Sequence, residues 1–355
     1  MSEIKQTVNR GKIVGVLSEK ALKISKGEVK TENKTFPCEV ISGTLSVDTA
    51  NGTLPPLRVY LKSKKKDGTE NKMFAGFVTI MKEYVSKMEL TTGKISYKVQ
   101  DSNAEKTVEI PIDKQVVTAP DTIECSVRLD LNDYVSNTTQ KVVSSVQLSM
   151  SNAKRVSSDT ELTTDLMIEG YVQKIVPETT KTEEETGRIL VTFVTVGFGA
   201  KAKPFTVIVP EDLADDFSNM YEVGQTAMFY CSVVMRHVGG QKNNTAAFGK
   251  KAKVYSGFDV EEIVLIGGEE PYDEDTDEDG SSKSISTNDV KSILKERKLM
   301  LEQKEKDAAE NSNTPKSTKT TKGLGSIKSV EPTHFDDDSE NLPFDVPDDD
   351  VADLF

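Results

Sequence analysis

The sequence predicts a mainly β fold for residues 10–267, followed by a polar C-terminal quarter without a core of its own. Apolar residues up to 267 recur mostly with a period of two, between clusters of Gly, Asn, Asp and Pro that are typical of turns. After residue 267, acidic and small polar residues replace the β-branched ones. The hydrophobic content of 36% therefore fits a chain of which part is disordered.

Residues 10–150, the first region, are predicted to form a series of strands interrupted by one helix. Strands are expected at "RGKIVGVL" (10–17), "FPCEVISGTLSV" (36–47) and "LRVYLK" (57–62). Phe74, Phe77 and Met81 are spaced by threes and fours, which indicates an amphipathic helix over 73–88, with a strand over 73–80 as the alternative. Further strands are predicted at 95–100, 107–112, 122–131 and 141–150.

The second region follows a polar boundary at 151–164. Strands are predicted at 166–176, twice within 188–209, at 225–238 and at 253–266, with a helix over 211–223 before the last two. This order is typical of a five-stranded OB barrel, whose helix lies between the third and fourth strands. The first region repeats the order with an insertion, and each predicted fourth strand contains Cys-Ser-Val, at 125–127 and 231–233. The sequence therefore predicts tandem OB-like barrels, residues 1–158 and 165–267.

The C-terminal quarter predicts a flexible acidic linker over 268–330 and an acidic tail over 331–355. Within the linker, Val290, Ile293 and Leu294 lie near one face of a predicted short helix, 287–306. The tail combines carboxylates with Leu and Phe and holds no lysine or arginine. An acidic run alone is typical of a solvated, disordered segment, which leaves its aromatic residues unexplained.

The charge is divided unevenly along the chain. The formal net charge of −13 lies wholly in residues 268–355, which hold 11 basic and 24 acidic side chains. Residues 1–267 are neutral, but residues 1–100 hold 18 basic against 10 acidic side chains. The region predicted to fold therefore has a basic part that could bind a polyanion.

The three cysteines, Cys38, Cys125 and Cys231, lie in apolar sequence and form no CxxC pair, which predicts buried thiols in a reducing compartment. His237 and His334 lie far from them, so the sequence predicts no zinc site and no cofactor. No run of 18 apolar residues occurs. We expect a protein of the cytoplasm without a membrane partner.

No motif predicts catalysis. "GFGAKAK" (197–203) lacks the glycine and lysine order of a phosphate-binding loop, and His237 has no partner for nucleophilic chemistry. The carboxylates at 183–185 and 273–279 lie in polar runs where water keeps them ionised. A function other than that of an enzyme is therefore expected.

Binding of a single-stranded nucleic acid fits the composition better. Such proteins hold the phosphates in a basic groove and stack bases on aromatic rings. The candidate residues are basic or aromatic and lie in the strands or connections where OB folds contact nucleic acids. They are Arg58, Tyr60, Lys62, Lys64, Lys65, Lys66, Phe198, Lys201, Lys203, Phe205, Lys250, Lys251 and Lys253.

The chain resembles the single-stranded DNA-binding proteins of replication, especially those of bacteriophages, in which OB domains precede a linker and an acidic tail ending in an aromatic residue. The resemblance rests on "DDDSENLPFDVPDDDVADLF" (336–355), where Leu342-Pro343-Phe344 is internal and Leu354-Phe355 is terminal. The bacterial proteins end in Ile-Pro-Phe, whereas this chain ends in Leu-Phe, which leaves open whether partners read Phe344 or Phe355. If the chain is phage-encoded, the resemblance implies the cytoplasm of the bacterial host.

The resemblance implies DNA protection during replication, recombination or repair. It also implies a tail that recruits replication or recombination proteins and competes with DNA for the basic groove. The tail residues that would act are Asp336, Asp337, Asp338, Leu342, Phe344, Asp348, Asp349, Asp350, Asp353, Leu354 and Phe355. An acidic protein-binding factor or DNA mimic, and a β-rich virion protein, are the alternatives.

Overall fold

The computed structural model describes residues 4–31, 34–101, 104–136, 138–180, 183–238, 258–272 and 284–313. The chain divides into one unit of residues 1–311 and a second of residues 312–355. Strands dominate the described residues, which confirms the mainly β fold. None of the helices in these ranges is both long and apolar enough to cross a membrane.

The elements up to residue 156 comprise eight strands and two helices in the described residues. They are β1 (Asn9–Lys30), β2 (Thr35–Thr49), β3 (Gly52–Thr53), β4 (Leu57–Lys62), α1 (Lys72–Glu83), α2 (Lys87–Thr92), β5 (Lys94–Asp101), β6 (Ala104–Pro111), β7 (Thr122–Val135) and β8 (Val142–Val156).

The elements from residue 163 onward follow the predicted order. They are β9 (Thr163–Thr179), β10 (Glu185–Gly197), β11 (Lys201–Val209), α3 (Glu211–Met220), β12 (Thr226–Val238), β13 (Phe258–Gly268) and α4 (Thr287–Asn313). The predicted last strand started at 253, but residues 253–257 lie outside the described ranges.

Five strands of the first region hydrogen-bond in a closed order, here called the first circuit. β1 pairs antiparallel with β2, β2 with β4, β7 with β8 and β7 with β1, and the parallel pair β4–β8 closes the ring. α1, α2 and the β5–β6 hairpin lie in sequence between its third and fourth strands. The hairpin extends the sheet because β5 pairs parallel with β1.

Five later strands repeat this order as the second circuit. β9 pairs with β10, β10 with β11, β12 with β13 and β12 with β9, all antiparallel, while β11 and β13 pair parallel. α3 lies between the third and fourth strands. The first strands of the two circuits pair antiparallel, from Asn9↔Ile168 to Val14↔Thr163, so one sheet runs through both circuits.

The core lies inside the two circuits. Ile13, Leu17 and Ile41 are fully buried in the first, and Phe193 and Phe229 stack at 4.0 Å between ring centroids in the second. The Cys-Ser-Val segments place Cys125 and Cys231 on the fourth strand of their circuits, each fully buried. Burial raises the pKa of Cys125 to about 12 and also raises that of Cys231, so neither thiol is reactive.

The predicted helix over 73–88 is instead two helices. α1 ends at Glu83, and Ser86 starts α2 because its hydroxyl accepts from the Glu89 amide while the Glu89 carboxylate accepts from the Ser86 amide. This capping box satisfies amides that would otherwise lack partners at the start of α2. The Ser-x-x-Glu pattern could have indicated the break in the sequence.

The helix predicted at 287–306 is present, but it is longer than predicted and is packed against the strands instead of standing free on a linker. α4 extends to Asn313, and Val290 and Ile293 of α4 are buried at 2% and 3% exposure. They pack against Val194 and Val196 of β10. The helix is therefore part of the packed structure over its first turns.

Candidate nucleic-acid interface

β4 alternates between the core and a basic outer face. Leu57 and Val59 are buried, whereas Arg58 is exposed and Tyr60 keeps 58% of its surface accessible. Successive strand residues point to opposite faces, so Arg58 and Tyr60 share the outer side. The sequence prediction that these two residues are available to a ligand is consistent with this geometry.

The register places further lysines in the same row as Tyr60. Tyr60 is paired with Ser42 on β2, Ser42 with Lys23 on β1, and Lys23 with Lys98 on β5. Residues paired across a sheet project to the same face. One row across four strands therefore runs Lys98, Lys23, Ser42, Tyr60. We call Lys23, Arg58, Tyr60, Lys62 and Lys98 the basic face.

Polar contacts fix several of these side chains. Arg58 donates from Nη1 to Gln147 Oε1 at 3.1 Å, and Lys62 donates from Nζ to the Glu28 carbonyl at 2.6 Å. These acceptors are uncharged, so both cations keep their full charge for an anion. The ammonium of Lys98 lies 2.7 Å from the Glu105 carboxylate, which partly offsets its charge.

A tight hairpin after β4 carries Lys64, Lys65 and Lys66. Lys64 forms a bridge with Glu70, and the Lys65 amide donates to the Thr69 carbonyl at 2.9 Å. At its tip Gly68 has a φ of +85° and approaches Phe36 so closely that an added Cβ would lie 2.9 Å from the ring. The hairpin therefore holds Lys65 and Lys66 exposed beyond the end of β4.

In the second circuit the β10–β11 turn presents Phe198 with 80% of its surface exposed. Gly199 and Ala200 follow with φ values of +73° and +56°, which reverse the chain tightly. Lys201 is exposed at the start of β11. Phe198 and Lys201 thus form an aromatic and basic pair at the tip of a rigid turn.

Two predicted residues of β11 are not available on the surface. Phe205 is 1% exposed because it points into the core, where it pairs in register with Phe193, so the prediction that it stacks on a base is wrong. The ammonium of Lys203 lies 2.8 Å from Asp130 of β7, and its side chain is only 21% exposed. Lys203 therefore joins the two circuits and has little surface for a ligand.

The remaining predicted site residues lie outside the described residues. These are Lys250, Lys251 and Lys253 of the β12–β13 connection, and the tail residues Asp336, Asp337, Asp338, Leu342, Phe344, Asp348, Asp349, Asp350, Asp353, Leu354 and Phe355. Their roles stay predictions.

The sequence interpretation missed Lys23 and Lys98, which the strand register brings into the row of Tyr60, and Gln147, which accepts from Arg58. It also missed Tyr134 near the β7–β8 turn, whose ring is 46% exposed. The alternation in β1 predicts that Lys23 faces outward, but only the pairing shows which strand it meets. In the part of the chain that the structure describes, no group of three or more His, Cys, Asp or Glu is placed to hold a metal ion.

The circuits and the basic face define a β protein with a surface suited to a polyanion. A family model described as YorF matches residues 8–109 and 111–307, and the chain belongs to this family. No curated protein matches the chain.

Among solved structures, the wild-type single-stranded DNA binding protein from Thermus aquaticus is similar at 10% identity and a TM-score of 0.37, covering 77% of this chain and 97% of that one. A deletion mutant of the same Thermus protein gives the same identity and TM-score over 98% of its own length.

Proposed function

We propose that the chain binds single-stranded DNA with little sequence preference, and that the basic face of the first circuit is its main site. The observation that supports this most is the row of Lys98, Lys23, Ser42 and Tyr60 across four strands, with Arg58 next to it on β4. Cations along a groove attract phosphates, and an exposed ring stacks on any base. Binding does not require a catalytic group, and we propose no enzymatic activity.

Each circuit is proposed to be an OB barrel. In that fold the first strand pairs with the second and the fourth, and the third pairs parallel with the fifth. Both circuits have these pairings, with helices between the third and fourth strands. OB folds bind oligonucleotides on the face of their second and third strands, which in the first circuit are β2 and β4. Three residues of the basic face, Arg58, Tyr60 and Lys62, lie on β4.

The neighbouring cations are proposed to extend the path. Lys64, Lys65 and Lys66 follow directly after β4, so a strand lying along β4 would reach them. Phe198 and Lys201 offer a smaller contact on the second circuit, together with Lys250, Lys251 and Lys253. A row of phosphate contacts makes the affinity depend steeply on salt.

The acidic tail is proposed to serve two purposes in replication, recombination or repair. Its carboxylates imitate a polyanion, so they would compete with DNA for the cations. Its Leu and Phe side chains would recruit replication or recombination proteins through small apolar contacts beside those charges. Both proposed roles, competition with DNA and recruitment of proteins, are assigned to residues 331–355.

Fluorescence anisotropy of labelled oligo-dT and of a matched duplex, each at two salt concentrations, tests the proposed function. The full chain is expected to prefer the single strand and to lose affinity as salt rises. Equal affinity for the duplex would contradict a site built on base stacking. Absence of binding to either probe would favour a protein partner instead.

A further inference from the structure

α4 covers part of the outer side of the first three strands of the second circuit. Phe193 of β10 and Phe205 of β11 are paired and point into the barrel core. The alternate positions, which point away from the core, are Val194 and Val196 of β10 and Ala202 of β11. These outward residues are buried against α4 rather than exposed. The ends of β10 and β11 next to their turn are thus covered by a helix, whereas Arg58 and Tyr60 on the third strand of the first circuit are exposed.

Both surfaces lie on the first three strands of their circuit but at different levels, since pairing with the matched Cys125 and Cys231 sets Tyr171 level with Ser18. In the first circuit, the first, second and third strands place Lys23, Ser42 and Tyr60 side by side. In the second circuit, the same strands place Tyr171, Val194 and Pro204 side by side. Tyr171 is only 5% exposed, and its hydroxyl donates to Thr287 of α4 at 3.1 Å. An aromatic ring therefore lies under the helix.

Only the first turns of α4 pack against the strands through apolar side chains. Its apolar contact is confined to Val290, Ile293 and Leu294, together with Ile285 just before the helix. Among the later apolar residues, Leu299 and Met300 are exposed at 56% and 46%. Elements with few buried apolar contacts open at a lower free energy than the core does.

A bidentate ion pair latches the middle of the helix. Arg297 donates from Nη2 to Asp133 Oδ1 at 2.6 Å and from Nη1 to Asp133 Oδ2 at 3.1 Å, and both side chains are 11% exposed. Asp133 belongs to β7, so this latch ties α4 to the first circuit. The Glu305 carboxylate accepts from the Val142 amide at 2.7 Å and adds a weaker contact nearby.

We propose that α4 is a displaceable strap, latched by Arg297 and Asp133, over a second single-strand-binding face. Release of the strap would free the ring of Tyr171 on β9, while Phe198 and Lys201 are already exposed at the turn between β10 and β11. The opened face would then combine aromatic rings with a cation, as the basic face does. This inference rests on the proposed function, since it assigns a second site of the same kind.

Charge reversal of the latch tests the strap. Arg297→Asp or Asp133→Arg alone places like charges together, whereas the double variant restores an opposite pair. Lys298→Asp makes the same charge change at an exposed neighbour and is the matched control. Val290→Asp disrupts the apolar contact instead of the latch. Hydrogen exchange of the amides in 287–300 reports release without any nucleic acid.

Both single latch variants and Val290→Asp are expected to exchange at least about tenfold faster in 287–300, with the double variant and Lys298→Asp close to wild type. Stoichiometric titration with long oligo-dT at low salt should then give about twice as many nucleotides bound per chain, as expected for two OB sites instead of one.

The three variants designed to release α4 are Arg297→Asp, Asp133→Arg and Val290→Asp, here called the releasing variants. Unchanged hydrogen exchange in all three would refute the proposal that α4 is a displaceable strap. Faster exchange with unchanged nucleotides per chain would overturn the second site. A wild-type chain that binds no oligo-dT would refute the proposed function separately, because the exchange data would still report whether α4 is released. Binding that appears only in the releasing variants would support the second site and refute the basic face as the main one.

Discussion

Tyr60 is the only aromatic residue of the basic face, and the cations of this face come from three strands, β1, β4 and β5. Tyr60→Ala removes the ring and is expected to weaken single-strand binding by about 1–3 kcal/mol, roughly 5- to 150-fold. Tyr60→Phe keeps the ring and should bind within about twofold of wild type, because stacking needs only the π face. Anisotropy titration with oligo-dT measures both. Equal losses in the two variants would show that the hydroxyl, not the ring, contributes.

Lys20 is a buried cation that supports the helices beside the first circuit. Its side chain is 1% exposed, its Nζ lies 3.2 Å from Glu89 Oε2, and it donates to the carbonyls of Ile80, Met81 and Tyr84 at the end of α1. Burial lowers the pKa of Lys20, and the Glu89 carboxylate opposes that shift. The carbonyls and the carboxylate together offset the cost of burying the charge.

Lys20→Met is therefore expected to lower the free energy of unfolding by about 3–5 kcal/mol, because it leaves Glu89 charged and buried. Lys20→Met with Glu89→Gln should lose less, since the second change removes the isolated charge. Urea denaturation followed by circular dichroism measures both. If the double variant is the less stable of the two, the ion pair is not the source of the loss.

Glu261 couples stability to pH. Burial raises the pKa of Glu261 from 4.5 to about 7, so the folded state holds this proton more tightly than the unfolded chain does. Its contribution to stability is complete below pH 4.5 and is lost as pH rises through 7. Glu261→Gln cannot lose a proton, so it should gain about 1–3 kcal/mol relative to wild type between about pH 4.5 and pH 8. Urea denaturation of wild type and Glu261→Gln at both ends of this pH range measures the gain. A stability difference between the two proteins that does not change with pH would contradict the raised pKa of Glu261.

At the scale of elements, the hairpin after β4 is expected to bind phosphates without touching bases. Replacing Lys64, Lys65 and Lys66 by Ala should reduce the slope of log affinity against log salt by about 0.7 for each phosphate that is no longer neutralised. The control replaces Lys12, Lys82 and Lys298, which are exposed and outside the basic face. Anisotropy at several salt concentrations gives the slope for the hairpin variant and for the control variant. Equal changes in the two slopes would show that the effect comes from net charge and not from the hairpin.

Most strands and helices could be predicted because alternation and turn residues are local signals. Residue roles were harder to predict. Phe198 and Phe205 look equivalent in the sequence, yet Phe198 lies at a turn and Phe205 at an inward position of β11. Lys23 and Lys98 could not be assigned to the site, because their approach to Tyr60 depends on pairing between strands distant in sequence.

At the scale of the whole molecule, the docking of α4 could not be predicted. Arg297 and Asp133 are 164 residues apart, and the acidic, polar sequence before the helix is typical of a linker. Only the last turns of the helix are as polar as such a linker suggests. The mainly β fold, by contrast, follows from alternation repeated in nearly every strand.

The tail is expected to weaken DNA binding at low salt. Truncation after Val330 removes ten acidic side chains and no basic ones, so affinity for oligo-dT should rise at low salt and approach that of the full chain at high salt. A tail with these acids replaced by Asn and Gln is the control for length. Equal affinities of the full and truncated chains at both salt concentrations would show that the tail does not compete.

Photo-crosslinking tests the basic face most directly. Oligo-dT containing 5-iodouracil would be irradiated with the full chain, and the crosslinked peptides identified by mass spectrometry. We predict a crosslink to Tyr60 in β4 that is lost in Tyr60→Ala. Crosslinks confined to other strands, with none in β4, would contradict the assignment of the single strand to this face.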